Sequence, residues 1–343
     1  MEHLTRSAAL TSYADLARSV GLDPHRILDA AGVPPRALDD PDIKVPANAV
    51  GRILEASARQ SGVEDFGLRL AETRRLSNLG LVGLIAREQP SVRRAIDVLG
   101  QYIWMQSDAL SLILEDTGDL AILRPLIASP SGRRSRQSVE LTVGTACRML
   151  AALLGASWRP QLVCFVHGAP SQPGAHRRVC GADVAFDQEF DGVVCLRRDL
   201  DAAIATADPV MARQLARYAE QAMRERPRQP EERVRELVLL LLPGGQATIE
   251  RIAAHLGVDR RTVSRQLAAR GVSFSTILDS VRAELAATYL GGERSLTSIS
   301  DLLGFSALSA FSRWHVQRFG ESPSARRARG PAPAITSDPA GAG

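Results

Sequence analysis

The chain of 343 residues lacks most of the features that mark other classes of protein. No apolar run approaches the ~18–20 residues that a helix needs to cross a bilayer. The opening stretch MEHLTRSAALTSYADLARS carries charges where a secretion signal would be apolar, so a cytoplasmic protein without membrane partners is expected. The four cysteines, Cys147, Cys164, Cys180 and Cys195, show no CxxC spacing. They read as small buried hydrophobes kept reduced, not as a metal or redox centre. His3, His25, His167 and His176 are scattered without metal-ligand spacing. Nucleophile-elbow, HExxH, Walker and dinucleotide signatures are missing too. Neither an enzyme nor a cofactor is expected. Lysine occurs once, at Lys44, and arginine supplies all other basic charge, a bias that carries no chemistry by itself.

What the chain does have is one helical pattern written twice within residues 249–320. The first copy reads IERIAAHLGVDRRTVSRQLAARG and the second SISDLLGFSALSAFSRWHVQRFG. Each is a short apolar helix, a glycine break and an amphipathic helix with an outward arginine, the shape of a helix-turn-helix. In the first copy Ala253 is small where the two helices meet, Gly257 sits in the turn and Val263 pins the second helix. Asp259 can accept from the free N–H groups that open that helix. In the second copy Ser300 and Gly304 keep the same step, and Ser306 is the candidate cap. The pin there is Phe311, one residue later relative to its glycine, so this turn is expected to be one residue longer.

Periodicity sorts the faces. Val263 and Leu267 point inward, which turns Arg261, Ser264, Arg265 and Ala268 outward with Arg260 at the N-terminal end. In the second copy Phe311, Trp314, His315 and Phe319 form the inner stripe, and Leu308, Ser309, Ser312 and Arg313 point outward. Arginine reads guanine bidentately, worth roughly 1–3 kcal/mol of discrimination. Some of these arginines could instead solvate a helix face or hold phosphate, and Arg260 is the best placed for phosphate. His315 reads as a hydrogen-bonded core histidine. Residues 231–330 hold 14 arginines against 10 acids, so the formal net charge of +4 is concentrated where the motifs are.

Residues 231–329 resemble the DNA-binding domain of the AraC family of bacterial transcription regulators. RGVSFSTILDSVRAELAATYL is similar to that family's long connecting helix, and LGFSALSAFSR and FGESP to its second-unit signature. The chain departs from the pattern at Trp314, His315 and Arg318. The resemblance implies base contacts from Arg261, Ser264 and Arg265 and from Leu308, Ser309, Ser312 and Arg313. The second helix, with one outward charge, is expected to read more permissively.

The first two-thirds of the chain mixes periods. Asp23-Pro24 opens a helix that stops at Gly32, and VPANAVGRILEASARQSG repeats the arrangement to Gly62. LGLVGLIAREQ and a helix over 91–109 follow. LSLILED and LAILRP, joined by DTGD, form a hairpin. A helix over 135–154, a strand QLVCFVHG that ends at His167, a short helix, a second hairpin of VAFD with GVVCLRR, and a helix over 208–226 complete it. This stretch resembles the arabinose-binding-like regulatory domain of one AraC subgroup, through GLDPHRILDAAGVP, LGLVGLIAREQPSVRRAIDVLGQYI, WRPQLVCFVHGAPSQPGAHRRVCGADVAFD and RRDLDAAIATADP.

The expected architecture is therefore an α+β regulatory domain at 1–223, with a small mostly antiparallel sheet, and a linker at 224–233. An all-α double helix-turn-helix domain at 231–330 and a disordered tail at 331–343 complete it. A ligand pocket is expected between the helix over 91–109 and the sheet, with Tyr102, Trp104 and His167 as candidates, although core packing suits all three. Arg133, Arg134 and Arg136 read as a solvated loop cluster that could hold a carboxylate. The function implied is a sequence-specific regulator, an activator that binds double-stranded promoter DNA, recruits RNA polymerase and answers to a small-molecule effector. A homodimer is a further expectation, and the alternative is a ligand-independent regulator whose first domain only dimerises.

Overall fold

A computed structural model describes residues 3–127, 135–171, 173–225, 229–242, 245–291 and 294–328. These divide into two compact units, one running to Gln229 and the other from Pro230.

Local signals set the first helices of the first unit. The Asp23 carboxylate accepts from the backbone of His25 at 2.9 Å, and Pro24 occupies the first turn of the Pro24–Ala30 helix. The helix Ala47–Ser61 ends in the left-handed conformation at Gly62. Ser91 caps the helix Val92–Tyr102, which passes into a 3-10 turn over Ile103–Met105. It stops well short of the expected residue 109. The reason is a two-stranded ribbon that periodicity does not reveal. β1 (Leu4–Arg6) pairs antiparallel with β2 (Lys44–Pro46), and Arg6 also donates its backbone N–H to Gln106 O at 2.7 Å. The chain leaves the helix to meet that ribbon.

The main sheet contains β3 (Leu110–Thr117), β4 (Leu120–Ile127), β5 (Leu162–Cys164), β6 (Val184–Ala185) and β7 (Gly192–Leu196), in the order β3-β4-β7-β5-β6. The first hairpin is present, β3 against β4. The second expected hairpin is not. β6 runs parallel to β5, while β7 crosses over to lie antiparallel between β4 and β5. The helix Gly174–Cys180 between β5 and β6 is the crossover that makes a parallel pair possible. β5 also ends at Cys164, so His167 lies beyond the strand.

Against this sheet packs the helix Arg136–Leu154, buried along Val139, Val143, Cys147 and Leu150. A Cβ on Gly67 would stand 2.1 Å from the Gln137 carbonyl oxygen, so the helix Phe66–Glu72 can approach only because that position is glycine. The Gln137 side chain completes the joint, accepting from Gly67 N and donating to Glu64 O. All four cysteines are buried, and the neighbouring Cys180 thiol together with burial pushes the Cys147 thiol well up.

The second unit is all-α among the described residues. The helix Pro230–Leu241 starts inside the stretch expected as a linker, with Pro230 in its first turn. It is followed by Ile249–His255, Arg260–Ala268, Phe274–Leu290, Leu296–Leu302, Leu308–Phe319 and Pro323–Ala328. Val234, Val238, Ile252, Val263, Val281, Leu285, Ile299 and Phe311 make its core. The expected tail at 331–343 lies outside the described residues, as do Arg133 and Arg134.

Candidate functional site

The two helix pairs in the second unit are built from the signals the sequence carries. In the first, Ile252 and Ala253 of one helix face Val263 and Leu267 of the next, all buried. Asp259 caps Arg260–Ala268 by accepting from Thr262 N at 2.8 Å. That bond, and a second from the Thr262 hydroxyl, hold the Asp259 carboxyl below its ordinary range. Gly257 in the turn has φ +67°. With the inner face fixed, Arg260, Arg261, Ser264, Arg265 and Ala268 are exposed. Arg260 reaches back to Glu250 at 2.9 Å, and the guanidinium groups of Arg261 and Arg265 stand on the open face.

In the second pair Ile299, Ser300, Leu303, Phe311 and His315 are buried. The turn between Leu302 and Leu308 spans five residues, against four between His255 and Arg260, so the longer turn is present. The cap is not the one expected: Ala307 holds the N-cap position with no side-chain bond, and Ser306 lies one residue too early. The aromatic stripe forms around Trp314, 5.4 Å from Phe305 and 6.1 Å from Phe311 between ring centres. His315 Nδ1 bonds Glu321 O at 2.7 Å, as a core histidine should. Phe319 packs its ring on His315 at 4.7 Å yet stays 44% exposed, so the stripe frays at its end. Leu308, Ser309 and Arg313 are exposed and Ser312 is half-buried.

One structural residue gave no sequence signal. Arg282 on the connecting helix donates to Leu303 O at 3.0 Å and Gly304 O at 3.1 Å and lies over the Phe305 ring. It satisfies carbonyls that the end of Leu296–Leu302 leaves open. Burial lowers its pKa.

In the first unit the candidates separate. Tyr102 is buried in the main core and Trp104 sits in the 3-10 turn. His167 instead joins a cluster that residue spacing does not reveal. Glu140, fully buried on the Arg136–Leu154 helix, receives Arg136 Nε at 2.9 Å and His176 Nε2 at 3.0 Å, with His167 Nε2 at 3.4 Å. All three face one oxygen, Oε1, but only Arg136 and His176 hydrogen bond to it; His167 bonds through Nδ1 to Gly168 O at 2.9 Å instead. A carboxylate only accepts, so His176 donates there from Nε2. The other oxygen, Oε2, is buried with no hydrogen-bond partner, as are Arg136 Nη2, His176 Nδ1 and His167 Nε2. A buried polar group left so costs about 1–3 kcal/mol each. Phe165 and Phe186 wall the cluster, with ring centres 5.6 Å and 5.2 Å from His176. Among the described residues no group of three or more His, Cys, Asp or Glu has a metal-binding arrangement. The unit also opens a cavity of about 490 Å³ elsewhere, beside Cys147, Arg148, Trp158, Arg159 and Arg178.

Comparison with known proteins bears on both units. Residues 21–204 match the family described as the arabinose-binding domain of AraC transcription regulators, N-terminal, and residues 252–329 match a helix-turn-helix domain. The chain is 33% identical over 330 residues to the HTH-type transcriptional regulator VirS of Mycobacterium tuberculosis, covering 95% of this chain and 97% of that one. It is 27% identical to the ornithine utilization regulator of Pseudomonas aeruginosa, covering 90% and 92%. Among solved structures, the transcriptional regulator CdpR from Pseudomonas aeruginosa aligns over 92% of this chain and 98% of its own, with 20% identity and a TM-score of 0.44. No described helix is long and apolar enough to cross a membrane. With a regulatory-domain match across more than half its length and a relative aligned nearly end to end, the chain belongs to the AraC family of transcription regulators that carry an arabinose-binding-type N-terminal domain.

Proposed function

We propose that this regulator binds promoter DNA through both helix-turn-helix units, the first reading bases with Arg261, Ser264 and Arg265 while Arg260 holds phosphate. The observation that carries the reading is the exposed arginine face of Arg260–Ala268, presented by a buried Val263–Leu267 stripe and opened by a capped turn. Leu308, Ser309, Ser312 and Arg313 form the second reading face, apolar and hydroxylic with one charge, which supports a more permissive readout. The connecting helix Phe274–Leu290 is about 25 Å long at 1.5 Å per residue, a span that suits readers entering successive major grooves, roughly 34 Å apart.

The first unit senses a small-molecule effector, and the regulator acts as an activator that recruits RNA polymerase. The name of the Pseudomonas relative, an ornithine utilization regulator, fits control by a metabolite. The alternative, a first unit that only dimerises, has a different signature: a chain whose melting temperature answers to concentration and to no metabolite.

Gel-shift titration of the full chain against promoter fragments and random DNA tests the DNA-binding reading. Affinity for its own upstream region should exceed that for random sequence and fall steeply with salt. Equal affinity for both, independent of salt, would sink it.

A further inference from the structure

We propose that the first unit takes a small α-amino acid at the Arg136–Glu140–His176 cluster, the ammonium on Glu140 Oε2 and the carboxylate on Arg136 Nη2. This deepens the reading of that unit as an effector domain and rests on it.

The unused valences define the ligand. Arg136 and Glu140 stand one helical turn apart and meet through Nε and Oε1 at 2.9 Å. An arginine–carboxylate pair in fork geometry would also join Nη2 to Oε2. Here both of those atoms are buried and lack a partner. Each is one covalent group away from the contact already made, so a single small molecule can reach both. It must offer a donor to the acid and an acceptor to the base within a few ångströms. The carboxylate side alone would approach the Glu140 charge with nothing to offset it, and an amine alone would leave Arg136 Nη2 open. A zwitterion answers both and adds no net charge to a buried ion pair.

The surroundings fit such a guest. Glu140 and His176 are fully buried, whereas Arg136 and His167 keep 30% and 18% of their side chains exposed, so the cluster borders the surface on their side. Phe165 and Phe186, with ring centres 5.9 Å apart, supply apolar walls for a side chain. The cluster also lies just past the carboxyl ends of β5 and β6, the parallel pair joined by the Gly174–Cys180 crossover.

The test uses the full wild-type chain in thermal melting and calorimetric titration with α-amino acids of apolar, acidic and basic side chains. Each is matched by its des-amino acid and its decarboxylated amine, and simple sugars are run alongside. At least one amino acid should raise the melting temperature in a saturable way, with both analogues inert at the same millimolar concentration. Glu140→Gln should weaken its binding by on the order of tenfold, the worth of one hydrogen bond to a charged group. If no amino acid stabilises the wild-type chain, or if the analogues or sugars do so equally, the proposal is overturned, whether or not the variant folds. Promoter gel shifts run on the same preparation separate the two readings. Specific DNA binding with no amino-acid response sinks this site and leaves the regulator standing, whereas loss of specific DNA binding sinks the regulator itself.

Discussion

Trp314 on the helix Leu308–Phe319 donates its indole N–H to Asp279 on the connecting helix at 2.5 Å. Arg318, one turn further along, reaches the other oxygen of the same carboxylate at 3.2 Å. The departure of this chain from the family pattern at Trp314 and Arg318 is thus a compensated one: a large indole and a guanidinium share one acid on the helix they pack against.

Asp279→Ala should therefore cost about 1–2 kcal/mol in urea unfolding of the second unit. Binding to the second half of a DNA site should drop while discrimination in the first half holds. Unchanged footprints over both halves would detach this contact from the reading helix.

Arg265→Ala should lose base selectivity in the first half-site. Arg260→Ala should instead weaken all DNA alike and lower the salt slope by about one. The Arg260–Glu250 pair does not protect against this, since an exposed ion pair is worth only about 0–1 kcal/mol and yields readily to phosphate. Competition titrations with single-base variants check both; equal selectivity of the Arg265 variant and wild type would overturn its assignment.

Asp259 gives the second unit a pH dependence. Its folded pKa lies below the unfolded one because the ionised cap accepts from Thr262. The stabilisation is therefore complete above the usual carboxylate range and is lost as pH falls through the lowered folded value. Acid unfolding followed by circular dichroism should show a shallower acid limb in Asp259→Ala than in wild type.

Gly304→Ala should destabilise the second unit by about 1–3 kcal/mol. The residue has φ +67°, and an added Cβ would stand 2.6 Å from Leu242 O, a backbone atom that cannot step aside cheaply. Gly271 has similar φ with open space around it, so Gly271→Ala is the control that isolates the close approach.

Arg74 makes the sharpest stability prediction in the first unit. It is buried and donates to the carbonyls of Ala8, Ala9 and Thr11, and burial lowers its pKa to about 10. Arg74→Ala should cost about 3 kcal/mol or more in chemical denaturation, because three carbonyls near the N-terminus lose their donor together.

What the sequence made legible was local. Caps at Asp23, Asp259 and the turn glycines write their geometry into a few consecutive residues, and the Val263–Leu267 spacing writes a buried stripe. What escaped it was set by distant partners. The β6–β7 hairpin failed because β5, well upstream of both, claims β6's edge and β7's flank. His167 and His176 had no ligand spacing along the chain, and Glu140 is 36 residues from His176; only the crossover brings the three together. The Arg282 clamp was equally silent, since its targets are backbone carbonyls that any sequence supplies.

The extra residue between Leu302 and Leu308 has a consequence beyond packing. Two readers with unequal turns and unlike faces, held on one helix, give the protein a head and a tail. On the DNA-binding reading, its operator then has a direction as well as a sequence. Reversing a site relative to the start of transcription turns a different surface of the protein toward whatever is bound next door, so the same bases in the opposite order form a different signal.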